Sequence, residues 1–475
     1  MTMRRAGIVF LALMILVSLS FVSIHTLFLG VSDDVTVTRQ TLYGDPAAAD
    51  GVNILVRNQY AQKLLWETAL TLDSASVPET DFTFKNDYIR IPSETEFTGI
   101  EFNTVHDVFR YIHTNISKNT PEKYKDLVDA LTAAVDAVPE GERKTFTFDF
   151  AKYLEYYPLE GQVILPELTT IFSEFEYWTE NSKEIADKIN AYFRIPITGE
   201  FTAEFDIDKT GAGSSYGASI NMDHYFDASG VATGEACYFA FNALMEDGTM
   251  LDTSLIPGGY GIYCLPYDEN GLQFDEMKMV LALDTAEAYE GMKLSADSKR
   301  IRLYTRQGED LMLTVIDIAT MSQVQKVKML SYSDEWYYDV IDYDDFTLIS
   351  EDRRNSDSMD QISVWEENSD GTWSHAFTAE MNLEVFPEGS NLKLFSKYSN
   401  AVDYRDGKLS VITHRTIYQE PYWYRNYCDI YVAVYDATGM TYAGTCEWNL
   451  TQVNNMYPND TRIQPSVVAP LEVFW

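Results

Sequence analysis

Residues 6–30 form an uncharged, mostly apolar run, preceded only by a short segment ending in Arg4 and Arg5. At about 1.5 Å per helical residue the run reaches roughly 37 Å, against a bilayer hydrocarbon core of about 30 Å. Arg4 and Arg5 favour a cytoplasmic placement of residues 1–5, and Asp33 and Asp34 are the first charges beyond the run. The pattern predicts a single-pass anchor at 6–30, with the bulk of the chain extracytoplasmic at the cell membrane. A cleaved signal peptide is the competing reading. Ser18-Leu19-Ser20 offers the small residues a signal peptidase uses, but the apolar run continues through Leu29. The first cysteine is Cys237, so no thiol near the start is available for a lipid anchor.

Between residues 31 and 195 the pattern is mixed α and β. Val52–Arg57, Leu64–Leu72 and Asp81–Ile91 alternate partially and carry β-branched and aromatic residues, which predicts strands; a helix over 54–70 stays open. Thr104 can cap a helix that puts Val105, Val108, Phe109 and Ile112 on one face. Pro121 opens a second, carrying Tyr124, Leu127, Val128, Leu131 and Val135 at helical spacing. Two more helices are expected, near 166–178 and 182–193.

From about Ile195 the helical period disappears, and short strand-like runs alternate with Asp, Gly and Asn turns. The clearest unit is 292–330. Met292–Leu294, Arg300–Thr305, Leu311–Asp317 and Val324–Leu330 read as four antiparallel strands joined by tight turns. Four such strands make one propeller blade.

Within this unit, Leu294-Ser295-Ala296-Asp297-Ser298-Lys299-Arg300-Ile301-Arg302-Leu303-Tyr304 is followed by Val315-Ile316-Asp317-Ile318-Ala319-Thr320. The phrase resembles the blades of WD40-like and YVTN-like β-propellers, which often read S-x-D-G-K…Y and then V-x-D-x-x-T. Looser copies run through 339–373 and 401–436, with further candidates at 236–283 and 199–225. No Trp-Asp dipeptide ends a blade, and the spacing drifts, so the resemblance is to the superfamily. The expected fold is mainly β: a propeller-like domain at 196–475, preceded by a mixed α/β region at 31–195 and the N-terminal transmembrane helix. Another all-β arrangement, such as a sandwich, is the alternative.

Composition narrows the partners. The net charge is −38, which repels nucleic acid and anionic lipid and leaves cations, cationic peptides and neutral ligands. Hydrophobic content of 46% supports a large core and argues against disorder. The four cysteines form two local pairs, Cys237 with Cys264 and Cys428 with Cys446. If each pair flanks a hairpin, the two members lie nearly opposite one another, and export would permit two cross-strand disulfides.

Catalytic signatures are scarce. Gly211-Ala-Gly213-Ser-Ser-Tyr-Gly217 leads from one strand into another, so it reads as a hairpin and not a phosphate loop. His106 and His113 share a predicted helix without an evident third ligand, and His25, His224, His375 and His414 are scattered. Neither a nucleophile elbow nor an HExxH helix is present. Acids cluster at Asp339, Asp342, Asp344 and Asp345, and again at Asp352, Asp357 and Asp360. Calcium could use such oxygens, but no stretch has the EF-hand order, including Asp268-Glu269-Asn270-Gly271. No cofactor is expected.

The most suggestive surface segment is Tyr418-Gln-Glu-Pro-Tyr-Trp-Tyr-Arg-Asn-Tyr427, read as a long inter-strand insertion. Tyr418, Glu420, Tyr422, Trp423, Tyr424 and Arg425, with Trp336 and Tyr337, are the ligand-binding candidates, suited to a sugar ring or a peptide. The leading expectation is therefore a membrane-anchored binding protein with a protein, peptide or glycan ligand. A surface enzyme acting on glycans or cell-wall polymer is one alternative. A sensor working through a membrane partner is the other.

Overall fold

The computed structural model describes residues 3–32, 36–60, 63–73, 79–81, 98–105, 121–166, 168–173, 175, 179–211, 215–242, 251–333, 336–353, 359–386, 400–419, 422–449, 466–467 and 472–475. The chain is mainly β and divides into two compact units, one of residues 1–95 with 333–475 and one of residues 96–332. This division does not follow the boundary expected at residue 195. The strands that follow the N-terminal helix pair with the last strands of the chain, so the first unit is discontinuous in sequence.

In the discontinuous unit, helix Met3–Ser32 precedes three antiparallel sheets. Trp336–Asp342, Phe346–Arg353, Met359–Glu367 and Trp373–Glu380 form a four-stranded meander in chain order. A second meander runs Asn400–Arg405, Lys408–Gln419, Tyr422–Asp436 and Gly439–Asn449, and Thr36–Gly44 adds a fifth strand at its far edge, with Val37 opposite Trp448. In the third sheet Asn53–Tyr60 lies between Lys63–Thr71 and the C-terminal strands, with Ile54 opposite Val473. Val52, Ile54 and Val56 join Ile412, Val432 and Val434 in one apolar core, which follows from the period-two alternation of each strand.

The described side chains of the N-terminal helix lie between residues 10 and 23, with residue 26, and its large apolar side chains are exposed, from Met14 and Ile15 at 52% to Phe21 at 75%. Among the described residues no helix is long and apolar enough to cross a membrane, so the spanning helix expected at 6–30 is not supported there.

In the continuous unit, an eight-stranded antiparallel sheet contains the meander Asp227–Ala232, Ala236–Asn242, Gly261–Asp268 and Lys278–Ala282. Gly99–Thr104, Leu159–Leu165 and Leu168–Ser173 extend it on the other side. Helix Glu180–Phe193 starts where Thr179 Oγ1 accepts from Ser182 N at 3.0 Å, and it buries Ile185, Ala186, Ile189 and Phe193. The Phe193 ring meets those of Phe102, Phe239 and Phe241 at 5.7, 6.2 and 4.8 Å. Helix Lys125–Asp136 buries Leu127, Val128 and Leu131, at the spacing its sequence predicts. Arg143–Asp149, Phe201–Asp208 and Ser215–Met222 make a three-stranded sheet.

Glu287–Leu294, Arg300–Gln307, Asp310–Asp317 and Ser322–Ser331 form the meander that the 292–330 unit predicts. Its second strand is covered on both faces: Ile301, Arg302, Leu303, Tyr304 and Thr305 are all buried.

The helix expected at 166–178 is instead strand Leu168–Ser173, paired with Leu159–Leu165. The run is rich in β-branched residues, Thr169, Thr170 and Ile171, and Phe172 packs inward while Ile171 is 60% exposed. The helix proposed from Thr104 falls on residues 106–120, outside the described residues. The glycine-rich segment 211–217 spans a hairpin between Phe201–Asp208 and Ser215–Met222, as expected, with residues 212–214 outside the described residues.

Candidate functional site

Residues predicted from sequence do not assemble into a described site. Gln419 ends one strand and Tyr422 begins the next, with Gln419 opposite Tyr422 and Ile417 opposite Arg425. The described part of the segment, read from sequence as an inter-strand insertion, thus lies on two paired strands. It extends past its neighbours: the strand Asn400–Arg405 pairs only as far as Thr413, and the last strand of the meander pairs only from Asp429. Glu420 and the side chains of Tyr418, Tyr422, Trp423, Tyr424, Arg425, Trp336 and Tyr337 lie outside the described residues.

The Cys237–Cys264 bridge is not formed, and both are free thiols. Cys237 pairs with Leu265 and Cys264 with Tyr238, a one-residue offset that sends the two thiols to opposite faces of the sheet. Burial, followed by the neighbouring Cys264, pushes the Cys237 thiol up to about 12. Cys446 is buried and free, and the side chain of Cys428 lies outside the described residues.

Many acids serve the turns. Asp317 Oδ1 accepts from Thr320 N and Oγ1 at 2.9 and 2.7 Å, and Asp436 Oδ1 accepts from Thr438 N and Oγ1 at 2.7 and 2.6 Å. Asp370 and Thr372 repeat the pattern. Asp342 accepts from Thr347 Oγ1 at 2.6 Å. Among the described residues no group of three or more His, Cys, Asp or Glu is placed to hold a metal ion.

A groove of about 560 Å³ in the continuous unit is the better candidate. One wall is the start of helix Glu180–Phe193, contributing Asn181, Glu184 and Ile185. The hairpin tip Asp268-Glu269-Asn270-Gly271 lines it as well. Leu165, Pro166 and Leu168 come from the hairpin at the sheet edge, and Tyr267, Leu272 and Phe274 flank the tip. The tip is tight because Asp268 pairs with Gly271, which adopts φ +104°, a conformation that favours glycine. Asp268 is committed to that turn: it accepts from Asn270 N at 2.7 Å and Gln273 Nε2 at 2.9 Å. Glu269 on the tip is exposed and has no hydrogen bond or ion pair among the described residues, and Glu184 is in the same state on the helix. Lys188 Nζ lies 3.7 Å from Asp275 Oδ1, joining the helix to the segment just after the tip.

A second polar grouping lies on the eight-stranded sheet. Asp227 sits opposite Asn103 on one side and Asn242 on the other. Glu101 accepts from Gln162 Nε2, and Asn103 Oδ1 is buried without a hydrogen-bond partner. Tyr289 Oη donates to Ser229 O at 2.8 Å on the same strand as Asp227. Burial and then the Glu101 charge hold the Asp227 carboxyl above its usual range.

Neither grouping was nominated by sequence reasoning. Glu184 and Glu269 stand far apart in the chain, in no recognisable spacing, and only the sheet edge brings them to one groove.

No family model matches the chain, and no curated protein matches it. Solved structures with some likeness include the WD40 domain of SCAP from fission yeast, at 7% identity and a TM-score of 0.26 over 82% of this chain and 73% of that one. The β-propeller domain of Cps50 (Swd1) from Myceliophteria thermophila is similar at 8% identity and a TM-score of 0.19, over 64% and 85%. A post-proline cleaving enzyme from Rickettsia typhi is similar at 9% identity and a TM-score of 0.22, over 62% of this chain. The chain spans 40% of that enzyme's length.

Proposed function

We propose that this chain is a binding protein held at a membrane by its N-terminal helix, with its β-rich units outside the cytoplasm and its ligand site in the groove between Glu184 and Glu269. The observation that carries the anchoring is the exposure of Phe10, Leu11, Leu13, Met14, Ile15, Leu16, Val17, Leu19, Phe21 and Val22. At 3.6 residues per turn these positions surround the helix, leaving no polar face. Burying each fully gains roughly 1.5–3 kcal/mol, so leaving all ten in water forfeits up to roughly 15–30 kcal/mol. A lipid phase is the cover that suits an apolar surface on every side, and the flanking Arg4 and Arg5 suit a cytoplasmic headgroup region. The blade-like meanders supply a rigid scaffold on which exposed turns and projecting hairpins present contact surfaces.

The hairpin 414–428 is a second proposed contact surface, because its backbone runs on past the strands beside it.

Alkaline carbonate extraction of membranes from cells expressing the full chain tests the reading. The full chain stays in the membrane pellet and a chain lacking residues 1–30 is released. Complete extraction of the full chain would overturn it.

A further inference from the structure

We propose that the groove binds an extended peptide segment in which a lysine or arginine is flanked by apolar residues. This rests on the reading of the chain as a binding protein and names the class of partner.

Two observations converge. Glu184 and Glu269 come from different elements lining the groove, and among the described residues neither has a hydrogen bond or an ion pair. The same lining also carries hydrocarbon: Leu165 and Ile185 are buried, and Leu168 and Leu272 are partly exposed. A basic side chain meets both demands, because its methylene stem lies on apolar surface while its charged head reaches a carboxylate. A volume of about 560 Å³ is far larger than one ion and suits several side chains.

Other ligands fit less well. A hard cation needs six to eight converging oxygens, and among the described residues no group of acids is placed to hold one. An anion meets repulsion from both glutamates. A sugar would need an open aromatic platform, and Phe274 is buried.

The test is fluorescence anisotropy with the full chain in detergent and an acetylated, amidated pentapeptide of alternating leucine and arginine. The same peptide with glutamate in place of arginine is the comparison. The overall negative charge attracts any cation, so two double variants are needed: Glu184→Gln with Glu269→Gln in the groove, and Glu140→Gln with Glu155→Gln on the surface elsewhere. The basic peptide binds, the acidic one does not, and the groove pair weakens binding about tenfold while the remote pair changes it less than about twofold. Leu168→Gln weakens it as well, which long-range attraction alone would not produce. Equal losses in both double variants, or no loss in the groove pair, would overturn the proposal. Membrane extraction of the same variants keeps the readings apart: a groove variant that loses nothing yet stays in the membrane pellet removes only the peptide site.

Discussion

Ser295 Oγ donates to Asp297 Oδ1 at 2.7 Å, and together they fold the first turn of the meander Glu287–Ser331. Asp297 Oδ1 also accepts from Lys299 N at 3.1 Å, and Ser295 Oγ accepts from Arg300 N at 3.1 Å. The turn closes through Ser298, which holds φ +57° where the resembling blades carry glycine. A non-glycine residue there costs about 1 kcal/mol. Ser298→Gly is therefore expected to raise the thermal midpoint by a few degrees, and Asp297→Ala to lower it, both read by calorimetry.

The same turn has a pH signature. Hydrogen bonds from Ser295 and from the Lys299 amide hold the Asp297 carboxyl at about 2, below its usual value of 3.8. A lowered folded-state pKa stabilises above the unfolded value and loses that contribution as pH falls through the folded value. Asp297→Asn should therefore flatten stability between about pH 4 and pH 2 and leave its slope near neutrality unchanged. Denaturant midpoints across that range check this.

Asp227 has the opposite sign. Its raised carboxyl pKa means the folded state holds its proton more tightly than the unfolded chain. The associated stability is present below pH 3.8 and is lost as pH rises through the folded value. Asp227→Asn, which removes the charge, is expected to stabilise at pH 7 and to have little effect below pH 4. Equal shifts in thermal midpoint at both pH values would contradict the assignment.

Asn190 ties helix to sheet. It accepts from Leu159 N at 2.8 Å and donates to Leu159 O at 3.1 Å and Ala186 O at 2.9 Å, fully buried. Asn190→Leu would strand both polar groups of Leu159 and is expected to cost about 2–4 kcal/mol, measured by urea unfolding.

The thiols give a chemical check. Cys237 and Cys264 are free and their thiolates disfavoured by burial, so they resist alkylation at pH 8 in the folded chain. Both should be alkylated after unfolding without reductant, as seen by peptide mass spectrometry.

Local pattern reached some of this fold and missed the rest for identifiable reasons. The alternation in Arg300–Thr305 and the Ser295–Ser298 turn are local, and they made the 292–330 meander legible. The helix expected at 182–193 was legible because Ile185, Ile189 and Tyr192 recur at its period; its start at Glu180, capped by Thr179, comes from the structure. At Leu168–Phe172 the spacing of apolar residues suits a helix equally well, and pairing with Leu159–Leu165 decides for a strand. The disulfide expectation needed a register correct to one residue, which turn length alone does not set. The pairing of Thr36–Gly44 with Gly439–Asn449 is set by contacts across almost the whole chain, which no local window contains. The groove is likewise a product of tertiary structure.

The central claim is that the acidic β-rich units stand outside the cytoplasm, held by the N-terminal helix. Its most direct test is labelling of intact cells with a membrane-impermeant, amine-reactive biotin, followed by mass spectrometry of the recovered chain. Lys125, Lys152 and Lys299 are exposed and report on the folded surface. The account predicts that these lysines are labelled in intact cells and that a cytoplasmic marker protein is not. Labelling of these lysines only after cell lysis would contradict it.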